Sequence, residues 1–345
     1  MTSSPDQSHV AAGSGGGDVA TLDPDEVRTP TARAVPWLRI TVIAALVVLA
    51  VVLAYVRSGS GVVVVQAVAT GILIGGVYGL TAMGLTLIFG VLDIVNFAHG
   101  SFLTLALFLT FGLTHAGLHP YLALVVSVPA MFLLGVLVQR GILAGAMGKP
   151  LENQLLITLG IALIIENALL LFFGANPRSV AVPGDRGVPI FGAVANLSRI
   201  LAFVGALILA GLLYLLLQRT RLGTAIRAVA ANDTGAQLVG IDIRVIYAVT
   251  FALGTACAGA AGTLVAPLVT IEPTTGSLFN IVAFVVVVLG GMGNVVGALA
   301  GGLIIGLAEQ LGGIYLPGQS PLLSVFIVFV LVLFLRPQGL FRRSA

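Results

Sequence analysis

The chain has 345 residues, 58% of them hydrophobic and only 8% charged, with a mean hydropathy of +1.13. A water-soluble domain carries about 25% charged residues, so a surface this poor in charge excludes a soluble enzyme and makes lipid the main solvent. The net charge of +3 does not imply nucleic-acid binding, because the arginines sit at the ends of apolar runs, and the single cysteine, Cys257, permits no intrachain disulfide.

Residues 1–36 are polar and acidic, with Gly15-Gly16-Gly17 followed by Asp18, Asp23, Asp25 and Glu26. Such a segment buries too little apolar area to offset the entropy of ordering, so a disordered cytoplasmic tail is expected there. It lacks the basic start and short apolar core of a cleaved signal peptide. Ten apolar runs follow, at about 38–56, 62–89, 97–114, 121–143, 154–173, 198–217, 244–266, 277–290, 295–311 and 322–335. A spanning helix needs about 20 apolar residues, and the pattern predicts an all-α polytopic bundle of about 8–10 spans. Residues 37–57 form an extra N-terminal transmembrane helix in this reading, and 58–345 the main transmembrane domain. The eighth run is short and precedes Gly290-Gly291-Met292-Gly293-Asn294, so it either spans or re-enters as a half-helix.

Ten crossings with the N-terminus inside put twelve basic residues on the cytoplasmic side and four outside, namely Arg57, Arg178, Arg186 and Arg199. That asymmetry follows the positive-inside rule. The outer 174–197 loop, with Pro177, Pro183, Gly184 and Pro189, is expected to be ordered and to offer a docking surface. Gly71, Gly75 and Gly79 recur every four residues, as do Gly293, Gly297 and Gly301, with Gly302 and Gly306 close behind. That spacing puts glycines on one helix face and lets backbones approach closely.

The loop 219–242 carries its own start and stop signals. Residues 224–231 are good helix formers, Asp233 is expected to cap a second short helix, and Gly240 before Ile241 to close it in a left-handed turn. Asp242 then caps the next span. Two short helices between spans are suited to being held by a partner protein.

This loop and its surroundings resemble the branched-chain amino-acid ABC transporter permeases of the LivH type. The resemblance rests on Ile94-Val95-Asn96-Phe97-Ala98-His99-Gly100, on Gly223 to Ile241, on Val288-Leu289-Gly290-Gly291-Met292-Gly293 and on Arg336-Pro337-Gln338-Gly339-Leu340-Phe341, and covers about residues 60–343 in consistent order. Residues 1–57 extend beyond the usual beginning of that family. The resemblance implies an ABC importer permease in the bacterial cytoplasmic membrane, and the ten-crossing topology puts both termini inside. It implies alternating access and a substrate among leucine, isoleucine and valine, with urea, short amides or other amino acids as the alternative. The implied partners are two cytoplasmic ABC ATPase subunits, a second related permease, an extracytoplasmic substrate-binding protein and membrane lipid. The loop would be the coupling element, with Gly223, Arg227, Ala231 and Gly240 at the ATPase contact. Independently, no phosphate-binding loop occurs, since the lone Lys149 is followed by Pro150. No cofactor, metal or catalytic residue is therefore expected in this chain, and ATP would be bound by its partners.

Polar residues inside apolar runs are the remaining candidates. Asn96 and His99 are expected to hydrogen-bond an unwound backbone at the break between the second and third spans, or else to touch substrate. Glu166, beside Asn167, and Glu309 are expected either to line a translocation path or to make interhelical hydrogen bonds, because a carboxylate in lipid must find a cavity, a partner or a proton. The competing reading is an ion-coupled secondary transporter, which would need a carboxylate such as Glu166 and internal repeats.

Overall fold

In the computed structural model the described residues are Val48, 51–190, 192–315, 321–336 and 339–340. The expected tail over 1–36 lies outside them. Each described apolar run is a helix. Residues 51–58 are helical and are labelled α1, and Val48 is helical as well. Then come α2 (Gly61–Leu92), α3 (His99–His115), α4 (Leu124–Gly141), a 3-10 turn (Leu143–Ala146), α5 (Leu151–Phe173) and α6 (Leu197–Arg219). Two short helices, α7 (Arg221–Ala231) and α8 (Asp233–Leu238), precede α9 (Ile243–Val265), α10 (Thr275–Gly290), α11 (Val295–Tyr315) and α12 (Pro321–Leu335). Among the described residues, six helices, α2, α4, α5, α6, α9 and α11, are long and apolar enough to cross a membrane. The chain is a multi-pass helical membrane protein. One departure from an all-helical chain lies between α5 and α6, where β1 (Gly187–Ile190) and β2 (Ala193–Asn196) pair antiparallel with Val188 opposite Ala195.

Local contacts sort the helix ends into two groups. At the hairpin end, Gln66 near the start of α2 exchanges two 2.9 Å hydrogen bonds with the backbone of Val194, and Arg178 pairs with Ile271 through both backbone groups. The Arg178 guanidinium also sits 4.9 Å from the ring centroid of Phe111, near the end of α3. The opposite end gathers α7, α8, the C-termini of α2 and α6, and the α10–α11 loop. There the Leu340 amide donates to the Leu289 carbonyl at 2.8 Å. Following each helix from these anchors, Arg57, Arg178, Arg186 and Arg199 fall at the hairpin end. Arg140, Lys149, Arg219, Arg221, Arg227, Arg244 and Arg336 fall at the other.

The interior helices are α2 and α9, each 78% buried over its most apolar 18 residues, against 22% for α4 and α5. A helix apolar on all sides packs all round, and α2 does so chiefly through α11. A Cβ at Gly75 would lie 2.9 Å from the Gly302 carbonyl oxygen, and one at Gly71 2.8 Å from that of Gly306. In lipid no hydrophobic force pulls helices together, so van der Waals contact across such small residues does the work. The face of α11 that meets α2 therefore carries Gly302 and Gly306, while Gly297 and Gly301 turn to Gly290 and Val286 of α10. The four-residue glycine spacing thus serves two different neighbours.

Candidate functional site

Two places in the bundle carry chemistry beyond packing. The first is the elbow of α7 and α8. Thr220 has extended backbone and its hydroxyl oxygen accepts from the Gly223 amide at 3.0 Å, so α7 starts at Arg221, a turn earlier than the sequence suggested. Gly223 is buried beneath the turn, where any Cβ would strike the Leu216 and Leu217 carbonyls. The amphipathic α7 buries Ile226 and Val229, and Arg227 bonds back to the Leu217 carbonyl and, at 3.4 Å, to the Thr224 hydroxyl. The guanidinium thus pins α7 to the end of α6. It lines a partly open cavity of about 670 Å³ bordered by α2, α6, α7, the α10–α11 loop and the start of α11.

The second helix is capped by Asn232 rather than Asp233. Asn232 is the residue with extended backbone, and its Oδ1 accepts from the Gly235 amide at 2.7 Å, whereas Asp233 is already the first helical residue. Gly240 adopts φ +86°, and the Ile241 amide returns to the Ala236 carbonyl at 3.0 Å, closing α8 as expected. Asp242 then caps α9 by accepting from the Arg244 amide at 2.9 Å. Ala231 and Gly240 are exposed, and so are two apolar residues that sequence reasoning passed over, Leu238 at 84% and Val239 at 76%. They were hidden by being ordinary aliphatics in an apolar chain. Only their position, on a short helix outside the spans, distinguishes them.

The second place is the junction of α3 and α10. From Leu92 the chain runs back alongside α2 in six non-helical residues, and His99 Nε2 donates to the Thr81 carbonyl at 2.9 Å. Thr81 lies eleven residues before Leu92, about 16 Å along the helix, a distance that six extended residues can cover. So α3 begins deep beside α2, not at its end. Irregular backbone at such depth must be covered and hydrogen-bonded by protein. Ile94, Asn96, Ala98 and His99 are all fully buried. Asn96 Oδ1 accepts from the Ala98 amide at 3.1 Å, Thr158 of α5 caps the Phe97 amide at 3.3 Å, and Asn280 of α10 takes the Gly100 amide at 3.2 Å and donates to the Phe97 carbonyl at 3.0 Å. Asn96 bonds the unwound segment itself, whereas the ring of His99 bonds helical backbone.

The start of α10 meets the start of α3. Gly100 and Gly276 leave no room for a Cβ on either, and the Thr104 hydroxyl accepts from the Gly276 amide at 2.9 Å. The eighth apolar run is thus a 16-residue helix whose N-terminus sits against a second buried helix start. Beside this junction the half-buried Glu166 accepts from the Ser101 hydroxyl at 3.3 Å and from the Ser277 hydroxyl at 2.9 Å, both at Oε1. Its neighbour Asn167 is exposed and returns to its own helix, at the Leu163 carbonyl, 2.8 Å away. Glu309 on α11 lies beside Tyr78 of α2, whose ring packs 5.7 Å from that of Phe279 on α10. The junction therefore gathers Asn96, His99 and Glu166 in one region. Asn280, Thr158, Ser101 and Ser277 were not singled out from sequence. A lone amide in the 277–290 run was the one available signal.

A multi-pass bundle with an interhelical elbow at one end and a covered break at mid-depth has the build of a membrane transport subunit. The chain belongs to the family described as the permease component of the branched-chain amino acid transport system, whose model matches residues 67–335. It is 30% identical over 293 residues to the high-affinity branched-chain amino acid transport system permease protein BraD of Pseudomonas aeruginosa, covering 81% of this chain and 95% of that one. It is 30% identical over 309 residues to LivH of Escherichia coli, with the same coverage, and 34% identical over 251 residues to a probable LivH of Methanocaldococcus jannaschii, covering 69% and 77%. These relatives are transport permease proteins.

Proposed function

We propose that this chain is the non-catalytic, membrane-spanning subunit of an ATP-driven importer for branched-chain amino acids, working by alternating access. Family membership supports the transport role, and the names of the relatives support leucine, isoleucine and valine as substrates. The observation that carries the mechanism is the elbow. It is capped at both ends and pinned by Arg227, and it presents Leu238 and Val239 beyond the spans. Exposed aliphatics at the water-facing end of a membrane protein are costly unless a partner covers them. In this reading two ATPase subunits seat the elbows of two related permeases, and closure of the ATPases on ATP turns each bundle through the α6–α7 joint.

The basic residues support the sidedness. Seven described Lys and Arg at the elbow end against four at the hairpin end favour a cytosolic elbow. The hairpin of β1 and β2 then faces outward, to receive a substrate-binding protein. Residues 1–36 are assigned as a cytoplasmic tail, 37–57 as an additional spanning helix and 58–345 as the permease domain, in the bacterial cytoplasmic membrane. The test is uptake of labelled leucine into vesicles containing the complete complex. Uptake should require ATP and the binding protein and be displaced by isoleucine and valine. Uptake that persists without ATP but collapses with the ion gradient would contradict the importer reading.

A further inference from the structure

Glu166 lies fifteen residues into the 23-residue α5, about 10 Å from its hairpin end. Both of its hydrogen bonds arrive at Oε1. Among the described residues Oε2 receives none, and no Lys, Arg or His pairs with the carboxylate. The side that remains open is not uniformly apolar. Ser277 is exposed there, and along α10 the uncovered stripe continues to Ile281 and the partly buried Phe284, whose ring packs 5.3 Å from that of the exposed Phe97. Ile281 and Phe284 lie one and two turns beyond Ser277, or about 5–10 Å. An open carboxylate oxygen beside an exposed hydroxyl is expensive against lipid tails, which favours a polar space at this point.

We propose that Glu166 and Ser277 form a subsite on the translocation path for a primary ammonium group, with Phe97, Ile281 and Phe284 receiving the apolar side chain attached to it. The free Oε2 accepts from the ammonium, and Ser101 and Ser277 hold the carboxylate in place through Oε1. The two hydroxyl bonds fix the orientation of the carboxylate, and the apolar stripe on one side only explains how an aliphatic amine would be oriented. The subsite rests on the importer reading and specifies where the amino group of its cargo passes.

The complete complex tests it in two ways. Ser277→Cys, in a Cys257→Ala background, should react with membrane-impermeant methanethiosulfonates, while Leu171→Cys on the outer face of α5 should not. A cationic reagent should label Ser277→Cys about tenfold faster than an anionic one, and Glu166→Gln should bring the two rates together. Glu166→Gln should also lower leucine uptake at least tenfold with the complex assembled at wild-type levels, and Glu166→Asp should recover part of the uptake. An unreactive Ser277→Cys, equal rates for the two reagents, or normal uptake by Glu166→Gln would overturn the subsite. If wild type itself shows no ATP-driven leucine uptake, the importer reading fails, while the charge preference at Ser277→Cys still decides whether the face binds cations.

Discussion

At the scale of single residues, the junction of α3 and α10 depends on side chains that replace missing backbone partners. Asn280 does this twice, accepting from the Gly100 amide and donating to the Phe97 carbonyl. Leaving a buried backbone group unpaired costs about 1–3 kcal/mol. Asn280→Leu should therefore lower the thermal midpoint of the purified protein and its steady-state level, with Asn280→Asp, which keeps the acceptor, falling between the two. Arg227 is a different case, since its bonds run to the Leu217 carbonyl within the same chain. A hydrogen bond to a charged group contributes about 1.5–3 kcal/mol. Arg227→Ala should thus loosen the elbow and reduce uptake on the order of tenfold, with little loss of the folded bundle in a thermal-shift assay. Asn96, His99 and Glu166 were visible in the sequence because polar groups stand out in apolar runs. Asn280, Ser277 and Thr158 were not, because their meaning depends on partners more than sixty residues away in sequence.

At the scale of elements, the elbow was the most legible part of the chain. Its caps, its left-handed glycine and its amphipathic helix are all set by neighbours within a few residues. The error of one residue, Asp233 for Asn232, arose because both side chains can cap and only the backbone angles distinguish them. What local signals do not contain is which apolar residues the fold leaves uncovered. Leu238→Asp together with Val239→Asp should leave the thermal midpoint within error of wild type, because both are exposed, while abolishing co-purification of the ATPase subunits. The half-length of α10 was readable from its run, but its meeting with α3 was not. That contact joins helix starts 176 residues apart, His99 and Thr275, and is made by glycines that carry no side-chain signature.

At the scale of the whole molecule, the order of the described apolar helices followed from apolar runs alone, since lipid forces each run to satisfy its own backbone. Pairing was beyond reach. The spacing of Gly71, Gly75 and Gly79 matched two glycine rows on α11, and only the structure selects Gly302 and Gly306 as their partners. Overpacking a tight contact costs about 1–3 kcal/mol or more. Gly75→Leu or Gly302→Leu should accordingly prevent accumulation of folded protein, whereas Gly211→Leu, where added atoms meet open space, should be tolerated, as immunoblots of membranes would record. The account of function stands on the elbow end facing the cytosol and gripping an ATPase. Crosslinking from Leu238→Cys in intact membranes tests this most directly. The account predicts a covalent product with the ATPase subunit and protection from impermeant reagents added outside, whereas labelling from outside with no ATPase product would contradict it.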